Sequence, residues 1–560
     1  MLMSVGPKLE EGTSAGATET QSELWRLGVL AAGVCGLFTA STLFQIPVQV
    51  YPGWLVPLFL VLLGSIGSFT LATRSHPSPR MLVLMRDWTL VVYLLCGLFL
   101  AMFYTLTSKI YVSDEMAFAA DAARLLLHGK DPYLAVMAPP SGFASGGYTP
   151  TDFGTYVRSF SYPAMGFLAY VPWLALGLRN IVWANVIYML LVFAVFFLWS
   201  PEWLKPFGLF ILALGVGLPG TVPALTDLVY VVPMLGVVRY LRSSLFAAAA
   251  LFGIAASVKQ TPWFIAPFLL VAVYYEYRSC TTGPWRQVLR FTGAALGTFL
   301  LINLPFVLWS PAAWFHGALF PLIGHLLAVG EGLVQLSRLP FHAVTPRALF
   351  LIPVGLLFFG LAVVMRVYRR MPALVFVFPM LALLLSTRAF PYYVSFYVPP
   401  LLLALALWPG EQGEEPAAEA RWPTWLLPLA VGCAGVGLMV FGTVMWIRQP
   451  LLAVARVVSV KPSTGKTPWE LVLKVTNASS HPIRVNYLVS SANEVLTLWP
   501  RASLRVLPPD RATRITITEP GSPRSVDARS SRLGSWLQVT LVTSGGEQFA
   551  GPVYFIHGQS

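Results

Sequence analysis

The sequence predicts an all-α polytopic membrane bundle of about 12–14 spans, followed by a C-terminal all-β sandwich. Three observations predict it. The 560 residues are 56% hydrophobic and 11% charged, with mean hydropathy +0.69; soluble chains carry about 25% charged residues. Apolar runs long enough to cross a bilayer recur from Leu24 to Trp446. Beyond Trp446 the pattern changes to short alternating segments with a period of two.

Composition excludes other classes. The four cysteines, Cys35, Cys96, Cys280 and Cys433, sit singly, without the spacing of a disulfide framework or a metal site. Three lie in apolar runs and read as buried thiols. The net charge is +13 and the pI about 9.6. No basic helix or stacking module accompanies that charge, so nucleic acid is not an expected partner. The cations lie in short loops and in the last 110 residues, as membrane topology and contact with membrane lipids require.

Residues 1–23 are polar and read as a disordered cytoplasmic tail. Residues 24–447 read as the transmembrane domain. Leu24–Phe44 reads as a retained signal anchor. Further apolar runs cover 54–73, 88–108, 162–178, 181–199, 207–238, 244–275, 291–309, 347–365, 372–387, 391–408 and 423–447. The runs 207–238 and 244–275 exceed one span and are expected to be broken helices. Arginines 74, 80, 86, 239, 242, 278, 286, 290, 366, 369 and 370 mark inner loops. Segments 109–161, 310–346 and 448–560 are then outside. The loop 409–422 is inside although acidic, since acids contribute little to orientation. The stretch 200–240 needs an odd number of crossings, and 207–221 looks like a half-helix ending at Pro219-Gly220.

Residues 448–560 carry 13 Lys and Arg against 6 Asp and Glu. Alternating runs begin at Glu470, Ile483, Leu504, Thr513, Ser535 and Pro552. Pro, Gly, Asn and Ser punctuate them, and about seven strands in this length predict an extracytoplasmic β-sandwich. It holds no catalytic constellation and reads as a docking or shielding domain at the outer membrane surface. Asn477-Ala-Ser is formally a glycosylation sequon.

Four of the eight Asp (Asp114, Asp121, Asp131, Asp152), with Glu115, fall in the loop 109–161. Any extramembrane loop carries acids, but the spacing here is specific. Residues 113–129 fit one amphipathic helix with Met116, Ala119, Ala120, Ala123 and Leu127 on one face and Asp121, Arg124 and His128 opposite. Asp114 and Glu115 open it, where carboxylates suit the helix dipole. Gly129 ends it, and Asp131-Pro-Tyr133 makes the following turn.

Ser113-Asp-Glu, the Ala-rich helix and His128-Gly-Lys-Asp-Pro-Tyr133 resemble the first outer loop of the GT-C superfamily of membrane glycosyltransferases. The nearest likeness is to polyprenol-phosphate-mannose-dependent enzymes, glycosyltransferase family 87 and relatives. Other stations follow in order over about 90–410. Phe160-Ser-Tyr-Pro163 ahead of Val171-Pro172 looks like a Tyr-Pro-Pro entry to a span, with Ala164 in place of the second Pro. Leu251 to Pro262, with Gly253 and Lys259, looks like the Gly…Lys…Pro hairpin. Asn303-Leu-Pro-Phe306 with Ser310-Pro311 looks like the end of a later span. Arg388 to Tyr393 looks like the late Arg-aromatic-Tyr motif. The family's Gly-Gln or Gly-Asn pair has no clean match; Thr226-Asp227 stands in its place. The leading hairpin and the β region lie outside the likeness.

The resemblance implies transfer of a sugar, a hexose such as mannose, from a polyprenyl-phosphate donor to a lipid or glycan hydroxyl at the outer face of the plasma membrane. That chemistry needs a general base for the acceptor hydroxyl. Asp114 is the first candidate and Glu115 the second. It also needs cations where the leaving phosphate gains charge, and Lys259 and Arg388 are the donor-phosphate candidates. Both have a bland alternative as snorkelling residues, though Lys259 interrupts a long apolar run. One base and one displacement imply inversion. Tyr133, Tyr162, Asp227, Tyr392, Tyr393 and His325 are the substrate-binding candidates; the two late tyrosines also suit an aromatic belt. No cofactor is expected. The histidines of 310–346 lack metal-type spacing, no Asp-x-Asp occurs, and no Walker loop is present. The competing reading is a glycolipid transporter or flippase without covalent chemistry, which predicts polar groups near span centres and an internal repeat. A third is a lipid-linked scaffold acting through the sandwich.

Overall fold

The computed structural model describes residues 55–73, 113–137, 149, 151, 156–208, 226–324, 326–330, 333–334, 343–344, 346–389, 391–410, 423–448, 452–461, 469–491, 497–498, 501–518, 536–543 and 548–555, with scattered positions in 26–37 and 78–95. The tail 1–23 and most of the runs 24–44, 88–108 and 207–225 lie outside these residues. So do Cys35, Cys96, Asp152 and His325.

The chain divides into two compact units, one of residues 1–106 with 186–222 and one of 107–185 with 223–560. The first contains the helix Leu55–Ala72. Its Leu71 is buried with Val29, and Met81 and Trp203 pack beside them. Lys205 pairs with Glu202 and lies over the Phe197 ring.

Four helices among the described residues are long and apolar enough to cross a membrane: Val182–Trp199, Pro284–Trp309, Pro346–Val367 and Leu426–Ile447. Other apolar runs are cut into shorter helices. The run 244–275 becomes Leu245–Ala256, a 3₁₀ turn Thr261–Ile265 and Ala266–Glu276, so it is broken as expected, with Lys259 at the break. The run 162–178 becomes Met165–Leu168 and Val171–Ala175. Pro172 and Pro262 lie in the first turn of their segments, where a missing N–H is harmless. The stretch 310–346 opens with the helix Pro311–Ile323, which the sequence reading did not specify. Pro311 starts it, and its apolar length was masked by the Ser310-Pro311 break.

The amphipathic helix forms over Asp114–Leu127. Ser113 caps it, its hydroxyl accepting from the Met116 N–H at 3.4 Å. Gly129 ends it at φ +68°, a region that suits glycine. The Tyr133 N–H then donates to Asp131 Oδ1 at 2.8 Å, closing the Asp-Pro-Tyr turn. Met116, Ala119, Ala120 and Ala123 are buried as the spacing predicts, while Leu127 is exposed. Asp121 and Arg124 pair on the other face at 2.8 Å.

The C-terminal region is two antiparallel sheets. One has the order Ala453–Lys461, Glu470–Asn477, Arg511–Thr518, Arg501–Ala502. The other has Gln548–Ala550, Trp536–Thr543, Ile483–Ser491 and Thr497–Leu498 as neighbours. Their inner faces share one core, with Leu471, Leu473, Ile515 and Ile517 from one sheet and Tyr487, Val489, Val539 and Leu541 from the other. The short strands Thr497–Leu498, Arg501–Ala502 and Gln548–Ala550 lie outside the runs read from the sequence, and so do two others. Ala453–Lys461 follows the last apolar helix so closely that its alternation merges with that run. Ala343–Val344, more than 100 residues upstream, adds to the sheet beside Gln548–Phe549.

The formal sequon is a structural turn. Asn477 is 1% exposed, and its Nδ2 donates to the carbonyls of His481 and Leu507 at 3.0 and 3.2 Å. Its Oδ1 accepts from the Ser479 N–H and hydroxyl. The carboxamide is committed to the turn in the folded region. Asn477→Ala leaves these buried groups unpaired and is expected to lower stability by about 1–3 kcal/mol. Thermal unfolding of the full chain in detergent, with proteolysis at 448–560 as the readout, measures it.

Candidate functional site

The helix break at Ser257–Gln260 sets the site. Ser257 donates its hydroxyl back to the Gly253 carbonyl at 2.8 Å. Its own carbonyl accepts from the Met165 N–H at 2.9 Å. A Cβ on Gly166 would stand 2.8 Å from the Val258 carbonyl, so only glycine permits this approach. Gln260 donates to the carbonyls of Ser161 and Ala318. Asn303 accepts from the Ala164 N–H at 2.9 Å and donates to Ser257 at 3.2 Å. These bonds satisfy polar groups that an interrupted helix exposes, and they aim Lys259 inward.

Lys259 is 3% exposed. Its ammonium donates to Glu115 Oε1 and Oε2 at 3.0 and 2.9 Å and to Asp227 Oδ2 at 2.6 Å. The rings of Tyr162 and Tyr393 each lie 5.2 Å from Nζ, within cation–π range. An ammonium has three N–H donors, and these contacts use them. Lys259 neutralises two buried carboxylates in this arrangement.

Glu115 is equally committed. Besides Lys259, its Oε1 accepts from the Thr226 N–H and hydroxyl, both at 2.7 Å. Its Oε2 accepts from the Tyr162 hydroxyl at 3.2 Å. Both oxygens of the second candidate base are therefore engaged. Asp227 belongs to the same cluster through Lys259.

Asp114 differs from its neighbour. It is 8% exposed, and the hydrogen bond it accepts is from the Thr149 N–H to Oδ2 at 2.7 Å. The Thr149 side chain adds a second hydrogen bond to the same carboxylate. Burial pushes its carboxyl above the ordinary carboxylate range, opposed by the Thr149 N–H and by the positive charge of Arg388. Arg388 is half-buried, in a two-residue strand parallel to Val329–Gly330. Ser386 Oγ donates to the Arg388 carbonyl at 3.0 Å.

The structure thus brings together Asp114, Glu115, Tyr162, Asp227, Lys259, Arg388 and Tyr393. Tyr133 does not join them. Its hydroxyl donates to the Tyr162 carbonyl, and its ring packs edge-on against Phe160, Phe167 and Phe306. It is a core residue that supports Tyr162. Tyr392 lies in the helix Pro391–Ser395, but its side chain, like His325, is outside the described residues. Sequence reasoning missed Thr149, and it placed Thr226, Gln260 and Asn303 in motifs without a role; no local signal gives these partners, because the bonds of Thr149, Gln260 and Asn303 reach 35, 99 and 139 residues along the chain. Among the described residues no group of three or more His, Cys, Asp or Glu is placed to hold a metal.

Compared with protein-family models, curated proteins and solved structures, the chain matches none.

Lys259→Met would strand two carboxylates in the interior and is expected to destabilise by about 3–5 kcal/mol. Adding Glu115→Gln and Asp227→Asn removes the uncompensated charges and should recover part of that loss. Thermal melts of the single and triple variants in one detergent compare them.

Proposed function

We propose that this protein is an integral-membrane glycosyltransferase of GT-C type that uses a polyprenyl-phosphate sugar. The observation that carries the reading is Asp114: a buried carboxylate held by Thr149 rather than by Lys259, within electrostatic reach of Arg388. In this reading the bundle crosses the membrane about 12–14 times, and the site and the C-terminal region face outward.

Asp114 takes the proton of an acceptor hydroxyl as that oxygen attacks the anomeric carbon. The bond from that carbon to the lipid-phosphate oxygen breaks, and the phosphate leaves with the electron pair. Arg388 offsets the charge that develops on it. The single displacement inverts the anomeric centre. Lys259 contributes from behind: it holds Glu115, the neighbour of Asp114 in the first helical turn, and so fixes the base. Tyr162 and Tyr393 flank the Lys259 ammonium and supply apolar faces for the substrate. The acceptor is a lipid or glycan hydroxyl.

A second reading, a glycolipid transporter or flippase, gains support from the same buried carboxylate–lysine cluster at a helix break, since ionisable groups among apolar helices accompany transport paths. Incubating purified protein with a panel of lipid-phosphate sugars separates the two. The transferase releases lipid phosphate, whereas a transporter moves its substrate across vesicles without a covalent product. Asp114→Asn is expected to cut transfer by 10²-fold or more at unchanged membrane expression; full activity would remove Asp114 as the base.

The base must be ionised to act, and burial raises its folded-state pKa. Activity should therefore fall, as pH is lowered, at a pH above the ordinary carboxylate range. A rate–pH profile with an acid limb near that of a solvated aspartate would contradict this.

A further inference from the structure

The C-terminal sheets read in sequence as an appended docking module. The segment 326–330 gives them another role. Leu326 bridges to Thr151, in the same loop as Thr149, which holds Asp114. Leu327 is 1% exposed and packs with Leu488 and Val542 of the C-terminal sheet, with Tyr156 beside them. Val329 and Gly330 then pair with Arg388 and Ala389. Five consecutive residues therefore touch the loop of Asp114, the C-terminal sheet and the strand of Arg388.

The same loop is fastened elsewhere. Ala328 and Val334 are buried with Leu349, and Leu333 and Trp446 pack beside them. Ala343–Val344 joins the sheet at Gln548–Phe549. A two-residue parallel pair such as 329–330 with 388–389 is too short to hold itself; it needs neighbours that fix its backbone. Leu327 supplies such an anchor two residues away, and its fully buried partners Leu488 and Val542 belong to the C-terminal region.

We propose that Leu327 is a positioning residue through which the C-terminal sheets set the placement of Arg388 and of the loop that holds Asp114. The C-terminal region is then an integral part of the site. The proposal rests on the reading of Asp114 and Arg388 as site residues, but its first test does not.

Leu327→Val, Leu327→Ala and Leu488→Ala, singly and with the last two combined, are made in the full chain, with Leu327→Met as the conservative control. Hydrogen exchange is followed at 386–389 and 149–157. Leu327→Ala and Leu488→Ala should each speed exchange at both sites about tenfold. Leu327→Val should act in the same direction to a smaller extent, which serves if Leu327→Ala fails to fold. The double variant should add little to the larger single effect, and Leu327→Met should stay near the parent. Exchange that rises only at 485–491 and 540–543, with 386–389 unchanged, overturns the proposal. So do fully additive effects.

The second arm uses transfer activity. Loosening Thr149 removes a hydrogen bond that favours ionised Asp114, so the acid limb should move to higher pH in Leu488→Ala. An unmoved limb with a proportionate loss of folded protein marks a merely structural role and overturns the positioning claim. Coupled exchange in a protein that transfers no sugar would leave the coupling intact and defeat the proposed function.

Discussion

The ion cluster of Lys259 with Glu115 and Asp227 is the constraint on which the rest of the site depends. Burying these charges is tolerable only because each is paired and because the Thr226 N–H and hydroxyl and the Tyr162 hydroxyl complete the hydrogen bonding of Glu115. The cluster joins three distant parts of the chain: the start of the helix Asp114–Leu127, the start of the helix Leu228–Tyr240 and the break after Leu245–Ala256. A conventional apolar contact would join the same elements with less directional demand. The ionic one fixes the orientation of the first turn of the Asp114 helix.

Adjacent carboxylates acquire opposite characters from that arrangement. Glu115 faces Lys259 and has both oxygens engaged. Asp114, one residue earlier and about 100° around the helix, faces Thr149 and Arg388. Different environments separating the roles of two neighbouring acids is a recurring way to assign base and scaffold in one site. Arg388 lies on a different segment, in the short strand paired with Val329–Gly330.

Much of the architecture was legible in the chain. The acidic start at Asp114-Glu115, the Ala-rich buried face, Gly129 and the Asp-Pro-Tyr turn follow from local chemistry, and the structure has each of them. The alternating runs from Glu470 to Tyr554 coincide with strands because a period of two is a strong signal when one face is buried. Less legible was the length of the apolar helices. Hydropathy alone cannot locate a break such as Ser257–Gln260, whose polar groups are satisfied by Ser161, Met165, Asn303 and Ala318 from remote segments.

Periodicity, helix-end chemistry and hydropathy act over a few residues, so the helical apolar region, the C-terminal β region, the helix Asp114–Leu127 and the set of charged residues worth attention follow from the chain alone. Which charges meet is a matter of folding. Pairing of Lys259 with Glu115 and Asp227, retention of Asp114 outside that pairing, removal of Tyr133 into an aromatic core and insertion of Ala343–Val344 into the C-terminal sheet all join residues far apart in the chain. Burial and partner choice depend on which surfaces come together, and no local pattern carries that information.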